Sequence, residues 1–351
     1  MRILELSYIS AITLIAISLF IIPKENKKVI YKIFVFIVAL AFIQIFFEGF
    51  RWQMVPSYLL GVFIIFLISK RNLLIRKRSS HFYVSFLVCW IPLSILLPIL
   101  LPIFQLPKPT GNFETGVVHE SLSGETMKIW YPTLASGEEK ASYLSFKEIK
   151  DLSPFFQSHL EKVKANSVFG TPVASNNDGF PVIILSHDLS DSYFTGIGEE
   201  LASHGFIVVV TENQDTKQIV EYLSSLNGKS PFHLDLQNIG VIAHSIANYP
   251  TLFHRANIKS GVSINSDKSG KPLLTFHMGN HEEYFATIDG ATHMNFTDVY
   301  FYSPYLSIRD KVNPKKELKL TSKLLLQYFK STLTNDISET FLDERITIIR
   351  K

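Results

Sequence analysis

The hydrophobic pattern changes character near residue 106. Before it, apolar residues run almost without interruption at 3–22, 29–47, 54–69 and 82–105. After it, short apolar runs alternate with polar and amphipathic stretches. A helix that crosses the hydrocarbon core needs about 20 residues, within a range of about 17–25. The first, second and fourth segments meet that length, and the third does so only if Trp52 and Met54 are counted in. No small-residue cleavage site follows 3–22 and further apolar segments do, so it reads as a retained helix and not as a signal peptide. The pattern therefore predicts a four-helix transmembrane region over 1–106, followed by a second domain over 107–351.

Beyond the Pro-rich exit Leu106–Gly111, the alternating stretches Glu114–Leu122 and Glu125–Tyr131 predict a strand pair joined at Ser123-Gly124. Residues 138–178 are polar, with helical patches near 145–151 and 155–165. Strands are then predicted at 181–187, 206–211, 239–244, 260–265, 272–277 and 284–288, and helices at 194–203, 216–227, 246–256 and 317–333. Alternation of this kind implies an α/β fold, a parallel sheet covered by helices on both faces. In such sheets the chemistry gathers at the carboxyl ends of the strands. His187 with Asp188, Ser245 and Asn265 all fall at predicted strand ends.

Charge orients the apolar half. Lys24, Lys27 and Lys28 follow the first segment, and Lys70, Arg71, Arg76, Lys77 and Arg78 follow the third, whereas Glu48 and Arg51 follow the second. Positive charge collects on the cytoplasmic side. Four spans then describe a multi-pass protein of the cell membrane with both termini and the second domain outside the cytoplasm; three spans would make the charge pattern contradict itself. Lys32 can snorkel, Gln44 and Cys89 read as helix-packing residues, and no acid–base pair inside the apolar segments suggests a transporter. The 351 residues carry a net charge of only +3 and no basic stripe interleaved with aromatics, which argues against a nucleic-acid partner. The single cysteine, Cys89, excludes an intramolecular disulfide framework and a zinc-binding cysteine cluster.

The candidate chemistry centres on Ile239–Asn248, a buried strand running into Ala-His-Ser-Ile-Ala and then a helix. Strand, serine at a sharp turn, helix is the nucleophile elbow of α/β-hydrolases, written Gly-x-Ser-x-Gly. Here both glycines are alanines, Ala243 and Ala247, so the turn remains possible but more strained.

Three stretches carry a family resemblance. They are Pro181–Asp215, with Ser-His-Asp-Leu-Ser and His-Gly-Phe; Leu236–Ser245; and Ile288–Asp298, with Thr-His-Met-Asn-Phe-Thr-Asp. With Pro107–Gly111 and Lys128–Pro132 they resemble the platelet-activating factor acetylhydrolase family of serine esterases, over roughly residues 106–335. The resemblance implies an α/β-hydrolase fold, an ester or lipid substrate with a short acyl chain, and no metal or organic cofactor. It implies Ser245 as nucleophile, His293 as general base, and the backbone N–H groups of Leu189 and Ile246 as the oxyanion hole. His187 and His244 then read as supports of the neighbouring loops, and His204 as a helix-terminus residue.

The chain departs from the family at Asp188, Ala243, Ala247 and Asn248, where glycine is usual, and at Asn265, where the catalytic Asp is expected. Asparagine cannot stabilise an imidazolium. Asp267 is the nearest replacement, with Glu282 and Glu283 as further candidates. The alternative reading is a catalytically impaired relative that keeps the fold to bind lipid or a protein partner.

Overall fold

The computed structural model describes residues 2–18, 27–135, except 70–76, and then 137, 139–151, 153, 157–212, 216–227, 232–245, 258–266, 272–278, 281–336 and 343–350. The chain forms two compact units. One comprises Met1–Phe104 with Ser153–Leu160 and Tyr302–Tyr305; the other comprises Gln105–Leu152, Glu161–Phe301 and Leu306–Lys351.

The first unit holds the helices Ile3–Ser18, Lys27–Glu48, Val55–Ser69 and Lys77–Leu100. Three described stretches are long and apolar enough to cross a membrane: Tyr31–Glu48, Trp52–Ser69 and Tyr83–Leu100. The expectation of four such spans is met in part, because the described part of the first helix is a shorter apolar helix, Ile3–Ser18. The third reaches its length because a 3-10 turn, Trp52–Met54, leads into Val55–Ser69. Tyr8, Ile12, Leu60, Ile64 and Leu67 pack inside the unit, while Phe36, Phe42, Phe46 and Phe47 face outward. An outward apolar surface is what a bilayer accepts and water does not.

A buried acid–base pair lies at the ends of the apolar segments of this unit, with Arg51 in the loop after the second of them. Buried Arg51 donates from Nε to Glu5 Oε1 and from Nη2 to Glu5 Oε2, each at 2.7 Å. Its Nη1 also reaches the carbonyl of Leu101 at 2.7 Å. Glu48 accepts the backbone N–H groups of Leu4 and Glu5, which closes the first turn of the first helix. The acid and base lie 46 residues apart, so no local pattern announces the pair.

The second unit is built on one sheet in the order β11-β10-β9-β8-β7-β5-β6-β2-β1-β4-β3. Its strands are β1 Glu114–Leu122, β2 Glu125–Thr133, β3 Lys140–Ser142, β4 Lys164–Phe169, β5 Phe180–His187, β6 Ile207–Glu212, β7 Leu234–His244, β8 Ile258–Ser266, β9 Pro272–Met278, β10 His281–Ile288 and β11 Ile346–Arg350. The described helices around it include Thr195–Ser203, Thr216–Leu226 and Pro314–Leu333. β5 is buried at every position, as a central strand covered on both faces must be. The helix Pro314–Leu333 starts at Asn313, whose side chain accepts the N–H of Lys316, and lays Phe329 on Gly240 so closely that a Cβ there would sit 2.6 Å from the ring.

The sheet is mixed, not wholly parallel. β5 pairs in parallel with β6 and β7, and β7 with β8, but β8–β9, β9–β10 and β10–β11 are antiparallel. The cause is the length of the connections. Residues 267–271 alone join β8 to β9, whereas a parallel crossover needs a dozen residues or more. Two reversals make β10 run the same way as β7 and β8, so its carboxyl end returns to the edge that carries Ser245. β3, β4 and β11 were not expected from the pattern. Within the predicted helical patch at 155–165, the described residues form a 3-10 turn, Ser158–Lys162, and the start of β4.

Candidate active site

Ser245 stands immediately after β7 with φ 59°. The left-handed region costs an L-residue roughly 1–2 kcal/mol. The surrounding sheet holds the residue there: its N–H donates to Ile264 O of β8 at 2.9 Å, and His244 beside it is in register with His187 of β5 and Ile264 of β8. The residues after these positions, Asp188, Ser245 and Asn265, form a row across the carboxyl edge of three adjacent parallel strands. Neighbouring strands lie about 4.8 Å apart, so these are near neighbours. Ser245 is half-buried, and Ala243 two residues earlier is fully buried.

His293 opens a short 3-10 turn, His293–Phe296, whose entry is fixed by a capping box between Thr292 and Asn295. His244 Nε2 donates to the backbone carbonyl of His293 at 3.1 Å, and the two rings lie 5.7 Å apart. Further along, the N–H of Asp298 donates to Tyr193 O at 2.6 Å. The Asp298 carboxylate oxygen Oδ2 accepts from the N–H of Gly196 at 3.0 Å and from the Tyr143 hydroxyl at 3.3 Å. Burial, with Glu199 nearby, pushes the Asp298 carboxyl well above the usual carboxylate range. The histidine turn is thus tied at one end to β7 and at the other to the segment after β5.

That segment has its own supports. His187 Nε2 donates to Asp191 Oδ1 at 3.0 Å, which leaves Nδ1 to accept the N–H of Leu189 at 3.1 Å. Phe194 stacks on His187 at 4.7 Å and meets His244 edge-on at 5.2 Å. Glu148 accepts the N–H of Ser192 at 3.0 Å and the hydroxyl of Ser190, and pairs at 3.2 Å with Lys128, a lysine buried in β2. Burial opposes ionisation of Glu148, but the Lys128 ammonium and the serine donors outweigh it and hold the carboxyl well below its usual range.

The predicted site residues fall into three groups. Ser245 and His293 sit on one edge, bridged by His244. Leu189 lies at the same edge, but its N–H, expected to serve an oxyanion, is occupied by His187. Ile246 and Asp267, with Ala247, Asn248 and the predicted helix 246–256, lie outside the described residues, as do the side chains of Glu282 and Glu283. Burial lowers the basicity of His293, and the Asp188 carboxylate works against that loss. His244 is pushed down to about 4 by burial, so it is a neutral donor at ordinary pH. His204 is the C-cap residue immediately after the helix Thr195–Ser203. Sequence reasoning missed Asp191, Glu148, Lys128 and the tying role of Asp298; only Asp298 had a signal, as part of the histidine motif. Among the described residues no cluster of metal-ligating side chains occurs.

A family model described as platelet-activating factor acetylhydrolase, isoform II, matches residues 102–231. The platelet-activating factor acetylhydrolase of Bos taurus is 28% identical over 127 residues, 32% of this chain and 29% of that protein. That of Cavia porcellus is 29% identical over 140 residues, 33% of this chain and 30% of that protein. The chain thus spans under a third of the length of these curated relatives, and the family match ends before Ser245. Among solved structures, a ferulic acid esterase from Streptomyces cinnamoneus aligns with a TM-score of 0.47 at 15% identity, over 71% of this chain and 100% of that one. Over residues 102–231 the chain is thus similar to the platelet-activating factor acetylhydrolase, isoform II, family.

Proposed function

We propose that the chain is a membrane-anchored serine esterase of the α/β-hydrolase fold, with residues 1–106 as anchor and 107–351 as catalytic domain. It cleaves a carboxylic ester, with a short-acyl lipid as the substrate class that the relatives' names suggest. The observation that carries this reading is the left-handed backbone of Ser245 at the carboxyl end of β7, with the His293 turn fastened to the residue beside it. A strained, half-buried serine at that edge has no structural purpose that glycine would not serve better.

In this reading Ser245 Oγ attacks the ester carbonyl while His293 Nε2 takes its proton. The imidazolium returns that proton to the leaving alcohol, and water then repeats the cycle to release the acid. The tetrahedral oxyanion is held by the N–H groups of Ile246 and Leu189. Leu189 can serve only if its N–H leaves His187 Nδ1 as substrate enters. Asp267 is the acid behind His293, with Glu282 and Glu283 as the other candidates. The anchor places the catalytic domain outside the cytoplasm, on the charge asymmetry of the loops. Protease added to intact cells should clip it; protection until lysis would reverse that topology.

A second reading is favoured by two observations. The end of β8 carries Asn265, and the Leu189 donor is already engaged. The chain would then be an impaired relative that binds lipid or a protein partner. Fluorophosphonate labelling separates the two, because it requires an activated serine. Labelling that Ser245→Ala abolishes supports the esterase. Labelling that survives this substitution removes Ser245 from the mechanism.

A further inference from the structure

We infer that Asp188 is a positioning residue for the base: its carboxylate, next to Ser245 on the β5 side, supports the positive charge that His293 takes up when the serine gives its proton away. The inference rests on the esterase reading of Ser245 and His293.

His187 and His244 are paired, so Asp188 and Ser245 leave the sheet side by side. The His293 turn is drawn toward this side by three hydrogen bonds: His244 Nε2 to His293 O, Asp298 N to Tyr193 O, and Gly196 N to the Asp298 carboxylate. The Asp191 carboxylate, on the same segment, is engaged by His187. Asp188 is exposed and is the carboxylate of that segment whose charge acts on His293. On the other elements packed against the turn, Glu317 of the helix Pro314–Leu333 is held by Arg345 at 2.6 Å and by Asn295 at 3.0 Å, and His244 is neutral. Asn265, in the family's acid position, supplies no charge at any pH. Asp188 stands where the family has glycine, and a side chain there that serves only the turn need not be an acid. It acts on the imidazolium together with any acid that backs the ring.

The test is a titration of His293 in the full-length chain in detergent micelles. It is read by NMR of ¹³C-labelled histidine, with His293→Ala to assign the signal. Asp188→Asn should weaken proton binding by His293 on the order of threefold, as expected for losing one solvent-screened charge at short range. Asp188→Gly should do the same, and Asp188→Glu should restore most of it. The acid limb of kcat/KM should move to lower pH in step. A His293 midpoint that is unchanged in both Asp188→Asn and Asp188→Gly overturns the inference. Hydrolysis that persists in Ser245→Ala overturns the esterase reading instead, and leaves the titration result standing as a separate observation.

Discussion

The two strands that flank β7 end differently. After β5 the chain is held by a dense set of side chains: His187 to Asp191 and Leu189, and Glu148 to Ser190, Ser192 and Lys128. After β8 the first residue beyond the register pairs with Ser245's strand is Asn265, and the acid candidate Asp267 follows in the five-residue stretch before β9, outside the described residues. The β5 side therefore has many side-chain ties and an exposed carboxylate, Asp188, whereas the β8 side carries an uncharged Asn265 at the same edge. The charges on the two sides of Ser245 can differ while the serine keeps its place, because strand register, not the identity of the loop residues, positions it.

The largest effect should come from breaking the β5 support. Lys128→Met leaves the half-buried Glu148 charge without its cation, and since only the lysine of the pair is fully buried the cost should lie near the lower end of the buried-pair range, about 3 kcal/mol. Thermal unfolding should show the drop. Because Glu148's folded pKa lies below its unfolded value, its contribution is fully present above the ordinary carboxylate range and is lost as pH falls from that range towards the depressed folded value. The variant should therefore regain relative stability in acid, and equal destabilisation at every pH would contradict the pairing.

A smaller effect should come from restoring the β8 side. Asn265→Asp should raise kcat/KM about tenfold or more if position 265 backs His293, since the reverse change in a protease triad costs about four powers of ten. A rate that is unchanged, together with loss on Asp267→Asn, assigns the acid to Asp267. The smallest effect concerns the residue between the two sides. Ser245→Gly should remove the cost of the left-handed backbone and stabilise the protein by about 0.5–1 kcal/mol, net of glycine's entropy, while abolishing hydrolysis. Chemical denaturation that finds it less stable would deny the strain.

Much of this edge was legible in the sequence. Pro-Val-Ile-Ile-Leu and Ile-Val-Val-Val are continuous apolar runs because β5 and β6 are buried on both faces. His-Gly-Phe marks a helix end because Gly205, at φ 92°, closes it with its N–H on Ala202 O and that of Phe206 on Leu201 O. What was not legible depends on partners distant in sequence. β4 pairs with β1 and β3, and its six residues carry no strict alternation. Lys128 in the middle of β2 looks solvent-facing until Glu148 arrives from a separate helix. The reversal of β9 was implicit in the length of 267–271, but strand periodicity is blind to direction.

The central claim is that Ser245 is an activated nucleophile served by His293. The most direct measurement is the rate of fluorophosphonate labelling of the purified full-length chain as a function of pH. Labelling should occur at Ser245 and be lost in His293→Ala, with an acid limb below the ordinary histidine range because burial depresses His293. No labelling at any pH, or labelling that is indifferent to His293→Ala, would contradict it.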